Sequence, residues 1–409
     1  MAEKESKTRL QVSKFKLNSL LAITQAINEN LSVEELLKRY EKILREDLNI
    51  GTILIYKFGI EWECILTSGC SRQISEKIDV EQDLLHYDEI TFVPADGIQK
   101  LKAFDIIIPV HNNNAPLAFV LIGDIEEEGE GVSPTIKHLT FIQTLSNIIL
   151  VAIENIRLFK ESLRQEAIKK ELELASRMQN MLIPDNHTLP RNERVYVTGF
   201  YHPHYDVGGD YYDCLPLNQN DLGFCIADVS GKGISAALLM SNFQANLRAL
   251  FTSEIPLKTL VERLNERVIS SAAGEKFITL FIAKYNCNSK ILEYINAAHN
   301  PPVIYETGSK KIHLLNTSCV GIGMIDHIPV INEGSFSINE RSKIICYTDG
   351  LSELPDENGN EIGTDTIAKY LANQEGIEQN INQLIRKQNI MAGNDRLFDD
   401  VSIIGVEFF

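Results

Sequence analysis

The sequence predicts an α+β chain in which two folded units are joined by one long helix. Three observations lead there. In the second half, strand-like apolar runs come in pairs interleaved with pairs of helical stretches, which suits two sheets flanked by helices, an α-β-β-α sandwich. Between Pro134 and Leu182 there is no further Pro or Gly, so the stretch reads as continuous helix. Upstream of it, a helix, strands, a mixed middle and a hairpin describe a smaller unit of their own.

The elements follow in order. Ser32-Val33-Glu34-Glu35 is a capping box, with Ser32 capping a helix that runs toward Leu48 and Glu35 reaching back. Gly51 precedes an apolar strand at 52–58, and a second strand is expected at about 61–67. From 68 to 102 the pattern is mixed and assigns no element. Residues 105–110 and 117–123 read as hairpin strands across a turn cluster at 111–114. After the long helix, Ile234, Leu238, Leu239, Phe243, Leu247 and Leu250 recur at helical spacing behind a glycine-bounded turn. Strands at 277–285 and 291–296 precede Pro301-Pro302, a strand at 343–347 leads into Thr348-Asp349-Gly350, and two helical stretches come before a final strand at 401–409.

The long helix carries a broken seven-residue repeat. Ile149, Ile156 and Leu163 form one ladder with Ile153 between; Ile168, Ala175 and Leu182 form another with Leu172. A heptad repeat indicates helix pairing, and a break in it changes local winding. Lys160 and Gln179 stand at expected apolar positions, so the expectation is a homodimeric linker of marginal stability with two packings, in which Lys160→Leu or Gln179→Leu locks one register.

Composition narrows the class. Lys and Arg number 39 against 56 Asp and Glu, a net charge of −17, which argues against nonspecific nucleic-acid or anionic-membrane binding. The first ten residues have no apolar core of a secretory signal. Apolar runs such as 106–110 and 148–153 are far shorter than the roughly 18 residues of a membrane span. Seven cysteines without a CxxC pair suggest neither a disulfide framework nor a thiolate zinc site. A cytoplasmic location is expected.

Chemistry is concentrated in four acidic signatures: Val207-Gly208-Gly209-Asp210-Tyr211-Tyr212-Asp213, Asp228-Val229-Ser230-Gly231-Lys232-Gly233, Thr348-Asp349-Gly350 and Asp399-Asp400-Val401-Ser402. Each places a carboxylate where a strand is expected to end and a turn to begin. Carboxylates gathered without basic partners repel one another unless a cation sits between them, and hard Mg²⁺ or Mn²⁺ prefer such oxygen ligands. Taken singly, an Asp-Gly pair is usually a turn; four with one flanking grammar are a set. Gly208-Gly209-Asp210 echoes a diguanylate cyclase signature, but that reading leaves the three later motifs unused. A non-catalytic scaffold that senses phosphoproteins is the other alternative.

The grammar resembles the SpoIIE/RsbU-type bacterial phosphatases, a branch of the metal-dependent (PPM) serine/threonine protein phosphatases. The match runs in the family's order from Glu171-Leu172-Glu173-Leu174-Ala175, Met178-Gln179 and Met181-Leu182-Ile183-Pro184 through the four motifs. Phe277-Ile278-Thr279-Leu280-Phe281 and Asn296-Ala297-Ala298-His299-Asn300-Pro301-Pro302 fall between them. The resemblance implies a two-ion Mn²⁺ or Mg²⁺ site held by Asp210, Asp228, the Val229 carbonyl, Asp349 and Asp399, with a shared water as nucleophile. Asp213 and Asp400 take outer or capping roles. It also implies a phosphorylated protein substrate, an anti-sigma-factor antagonist. Ala298 stands where the family has Gly, so a positive φ there would carry strain; His299 is assigned to structure. No arginine precedes the first motif where eukaryotic relatives hold phosphate.

The upstream unit resembles a GAF domain, which implies a sensor for a small molecule or protein. Its cyclic-nucleotide signature is absent, and Cys64 and Cys70 read as core thiols rather than chromophore anchors. The expected division is a GAF-like sensor over 1–148, a coiled-coil linker over 149–184 and the phosphatase domain over 185–409.

Overall fold

The computed structural model describes residues 2–94, 98–112, 115–125, 134–204, 207–272, 274–355, 359–392 and 397–409. The chain forms two compact units, Met1–Glu166 and Ala167–Phe409.

The first unit opens with α1 (Ala2–Asn28) and α2 (Val33–Lys42). The Ser32–Glu35 capping box is formed: the Ser32 hydroxyl accepts from the Glu35 N–H, and the Glu35 carboxylate accepts from the Ser32 N–H at 3.0 Å. Strands β1 (Ile50–Phe58), β2 (Trp62–Ser68), β3 (Thr91–Phe92), β4 (Ile106–Asn112) and β5 (Ala115–Ile125) make one antiparallel sheet in the order β2-β1-β5-β4-β3. The mixed middle holds two single-turn helices, α3 (Arg72–Ser75) and α4 (Val80–Asp83). The β4–β5 hairpin forms as expected, with Ile108 opposite Val120; the tip of its turn, Asn113 and Asn114, lies outside the described residues.

The sheet buries both faces. Ile53, Ile55, Ile106, Ile108, Val120 and Ile122 pack with Tyr40 and with the start of α5 (Pro134–Asn180). Leu54, Tyr56, Ile107, Phe119 and Leu121 form the opposite cluster with Trp62 and Cys70. This is the period-two alternation of a covered sheet. Helix α5 is one unbroken helix of 47 residues. By length and composition its stretch His138–Asn180 could cross a membrane, unlike the short runs read from the sequence, but half of the apolar window is buried in the protein. Phe141, Ile142, Leu145, Ile149, Leu150 and Ile153 belong to that core, and a core helix passes the same length test.

In the second unit, β7 (Tyr211–Pro216), β8 (Asp221–Val229), β9 (Ile278–Asn286), β10 (Ile291–Ala297) and β13 (Gly334–Ser337) form a sheet ordered β13-β10-β9-β8-β7. The other sheet, β12-β11-β14-β15-β6, is built from β6 (Val195–His202), β11 (Val303–Glu306), β12 (Ile312–Leu314), β14 (Ser342–Tyr347) and β15 (Val401–Phe408). Helices α6 (Ile234–Leu250) and α7 (Leu257–Ala272) pack on the first sheet; α9 (Gly363–Leu371) and α10 (Ile377–Lys387) pack on the second, with the short α8 (Asp349–Ser352) behind β14. Strand β15 shows why the layers form. Ile404, Val406 and Phe408 face the core between the sheets, while Val401 and Ile403 face the cluster with α9 and α10. The α-β-β-α sandwich expected from the sequence is present.

Candidate active site

The four acidic motifs meet at one end of the two sheets, and strand direction explains how. Asp228 lies at the end of β8 and Asp349 just after β14, as the sequence suggested. Asp210 and Asp399 instead come just before β7 and β15, so those two carboxylates stand at strand starts. The correction has a simple cause: β7 is antiparallel to β8, with Tyr211 opposite Ala227, and β14 to β15, with Tyr347 opposite Ile403. In an antiparallel pair the start of one strand abuts the end of its neighbour.

Backbone packing draws the loops close. A Cβ at Gly208 would collide with the Asp400 carboxylate and sit 2.5 Å from Tyr201 Oη; one at Gly209 would lie 2.9 Å from the Val229 carbonyl oxygen. At Gly350 a Cβ would run into the Asp400 backbone carbonyl. Glycine is required at these positions by close approach rather than by torsion. Gly231 and Gly233, by contrast, take φ of +79° and +78°.

The side chains follow. Asp210 is buried and accepts from the Thr348 hydroxyl at 2.7 Å; that hydroxyl also accepts from the Ser402 N–H at 3.0 Å, so Thr348 ties three motifs together. Asp400 accepts from the N–H groups of His204 at 2.8 Å and Gly209 at 2.7 Å, the capping role expected of it. Asp399 accepts from the Asp400 N–H at 2.9 Å and pairs with Lys232 at 2.8 Å. The sequence reading of a cluster without basic partners is thereby corrected, because Lys232 supplies one. Asp213 lies apart, bound to Tyr211 Oη at 2.5 Å and to Arg248 at 2.8 Å.

Burial, followed by the charges of Asp228 and Asp400, drives the Asp210 carboxyl well above its usual range. Asp228 is pushed up to about 8, first by burial and then by Asp349, Asp399 and Asp400. Asp349 and Asp400 are raised as well, burial again leading. Mutual repulsion of this kind marks a site whose carboxylates outnumber its positive charge, Lys232 being the one paired cation among the described residues.

Two further residues were not read as functional. Gln179, near the end of α5, is buried; its amide donates to the Gly208 carbonyl at 2.6 Å and its oxygen accepts from the Gly208 N–H at 3.1 Å. The expectation that it is a defect in an apolar seam is corrected: it is the clamp on the first motif. A polar residue breaking the repeat was the signal. Tyr201 Oη is buried beside Asp400 with no hydrogen-bond partner among the described residues. His299 is buried, its Nδ1 2.8 Å from the hydroxyl of Thr279, which pairs with Asp228 across β8 and β9. Burial lowers His299 to about 4, so it is neutral near pH 7. Ala298 has φ +55°, the strained left-handed conformation anticipated.

Among the described residues, no three acidic, His or Cys side chains already surround one point as a finished metal cage does. By donor type the set nevertheless fits a hard divalent ion: carboxylates with raised proton affinity, a backbone carbonyl at Val229 close to the first motif, and an unpartnered phenol at the edge.

Residues 218–409 match the family described as Stage II sporulation protein E (SpoIIE). The C-terminal unit carries a SpoIIE-family domain. The matched range begins after the Asp210 motif and includes the other three. Among curated proteins, the phosphoserine phosphatase RsbU of Bacillus subtilis (strain 168) is 28% identical over 195 residues, 48% of this chain and 57% of that protein. The phosphoserine phosphatase RsbP of the same organism is 26% identical over 189 residues, 45% of this chain and 46% of that protein. The chain thus spans about half the length of these relatives. Among solved structures, the SiaA-PP2C domain of Pseudomonas aeruginosa superimposes with a TM-score of 0.51 at 19% identity, covering 60% of this chain and 99% of that one. It shares the fold of the SpoIIE-family domain.

Proposed function

We propose that the protein is a metal-dependent serine/threonine protein phosphatase acting on a phosphorylated signalling partner. The single observation that carries this reading is the convergence of four acidic motifs into one partly buried, mutually repelling carboxylate cluster within a SpoIIE-family domain. Asp210, Asp228, the Val229 carbonyl, Asp349 and Asp399 would hold two Mn²⁺ or Mg²⁺ ions. When bound, such ions polarise phosphoryl oxygens and activate water for attack.

The chain's own residues do the rest. Thr348 fixes the orientation of Asp210 across the sheets. Asp400 and Gln179 together hold the Gly208-Gly209 backbone, which sets where Asp210 stands. Phe277 and Lys276 hold the Ser230 turn that follows Asp228, through the Ser230 hydroxyl at 2.9 Å and its carbonyl at 2.8 Å. The Lys232 ammonium meets the cluster from its exposed edge.

The likeness to RsbU and RsbP supports a phosphorylated anti-sigma-factor antagonist as the substrate and a cytoplasmic setting. The sheet order β2-β1-β5-β4-β3 supports a GAF-like sensor in the N-terminal unit. Exposed Leu158, Phe159, Leu163 and Ile168 along α5 support pairing of that helix in a homodimer. Control would pass along α5, whose last turns carry the Gln179 clamp. The test is hydrolysis of phosphoserine and phosphothreonine proteins with Mn²⁺ or Mg²⁺. Turnover abolished by chelator and restored by either ion is expected; equal turnover in chelator would remove the metal-dependent reading.

A further inference from the structure

We propose that Lys232 has two tasks: it neutralises Asp399 while the site is free of metal, and it holds the phosphoryl group of the substrate once Asp399 has taken an ion. The second task rests on the phosphatase reading above.

Lys232 Nζ lies 2.8 Å from Asp399 Oδ2 and donates to the Phe398 carbonyl. Among the described residues it is the one Lys or Arg side chain paired with a carboxylate of the cluster. Its charge is felt at Asp349 and Glu353 as well as at Asp399. The ion pair is open to solvent, the two side chains being 40% and 39% exposed, so it is weak. A divalent ion arriving at Asp399 competes with the ammonium for the same negative charge, and so weak a pair gives way at little cost.

The displaced ammonium stays beside the site. The Ser230 turn before it is fixed by Phe277 and Lys276, and α6 begins at Ile234 just after it. Between these anchors Lys232 is flanked by two glycines in the left-handed region, and its four-carbon stem lets the head group swing. A phosphate monoester brings almost two negative charges to a place already crowded with carboxylates. A cation at the rim is what it needs, and Lys serves as a point-charge phosphate binder. Neither of the two arginines nearest before the first motif offers one: Arg191 lies over Tyr196 and beside Glu378, and Arg194 donates to Asn220.

The test uses the full chain as Lys232→Gln and Lys232→Arg. Calorimetry with Mn²⁺ alone reads the first task. The Gln variant should bind Mn²⁺ about two- to fivefold more tightly, the equivalent of the lost competing pair, with the Arg variant near wild type. Inhibition by inorganic phosphate and KM for a phosphoprotein read the second. Both should weaken about tenfold in the Gln variant with a smaller change in kcat, and recover in the Arg variant. Wild-type Mn²⁺ affinity in the Gln variant would overturn the counter-ion role, and unchanged phosphate inhibition and KM would overturn the substrate role. If the wild type binds Mn²⁺ but hydrolyses no phosphoprotein, the phosphatase reading fails, while the Mn²⁺ titration still decides the first task.

Discussion

Replacing Gln179 with Leu removes both hydrogen bonds that the end of α5 makes to Gly208. The Gly208 N–H and C=O are left buried, and each unsatisfied backbone group costs about 1–3 kcal/mol. Water entering beside the smaller polar demand of Leu recovers part of this, leaving roughly 2–4 kcal/mol. The cost falls on the segment carrying Asp210, so it disfavours the aligned motif more than the fold. At 1.4 kcal/mol per tenfold, the equilibrium constant for aligning the motif drops by about 30- to 700-fold. The assay is kcat/KM for a phosphoprotein across a Mn²⁺ titration, with circular dichroism to confirm folding. A fall of at least 30-fold with a rightward shift in the Mn²⁺ requirement is expected. Gln179→Glu, which accepts from the N–H but cannot donate to the carbonyl, should fall between. Unchanged kcat/KM and Mn²⁺ dependence in Gln179→Leu would refute the clamp.

Other outcomes follow from the same geometry. Gly208→Ala forces a methyl into the Asp400 carboxylate and Tyr201, so activity should be lost even where thermal denaturation shows a folded protein. Ala298→Gly relieves a residue at φ +55° and should stabilise by about 0.5–1 kcal/mol in denaturant unfolding. Asp228 has its carboxyl raised to about 8. A raised carboxyl favours the protonated native state, so metal-free stability should decline as pH rises from about 4 through 8. Added Mn²⁺ should oppose that decline, and Asp228→Asn should flatten it. In the first unit, Glu154 is held down to about 2 by Arg157 and then Lys57, which lies 2.5 Å away. A depressed carboxyl stabilises above its unfolded value and loses the benefit as pH falls toward 2, an effect of about 2–3 kcal/mol in acid unfolding. Glu154→Gln should remove that acid dependence.

What was legible in the sequence was local. The Ser32 capping box, the β4–β5 hairpin, the unbroken α5 and the motif glycines each declare themselves within a few residues. Helix α1 was not read, because its charged N-terminal stretch offers no cap and no clean apolar stripe. Strand β6 was missed too; its Gly199 is required by the Tyr212 ring packed on it, a contact across the sandwich. The carboxylates were found by type, but their placement at strand starts depends on which strands pair. Gln179 with Gly208 and Lys232 with Asp399 are long-range pairs, and no spacing rule joins them. The first was misread as a defect in a helical repeat because only the fold supplies its partner.

The central claim is that the carboxylate cluster hydrolyses phosphate esters with a divalent ion. The most direct measurement is phosphate release from a phosphoserine protein by the full chain, with and without Mn²⁺ or Mg²⁺, for wild type and Asp228→Asn. Ion-dependent release by the wild type and its loss in a folded Asp228→Asn protein is the predicted result. Release that persists in Asp228→Asn, or none from the wild type with either ion, would contradict it.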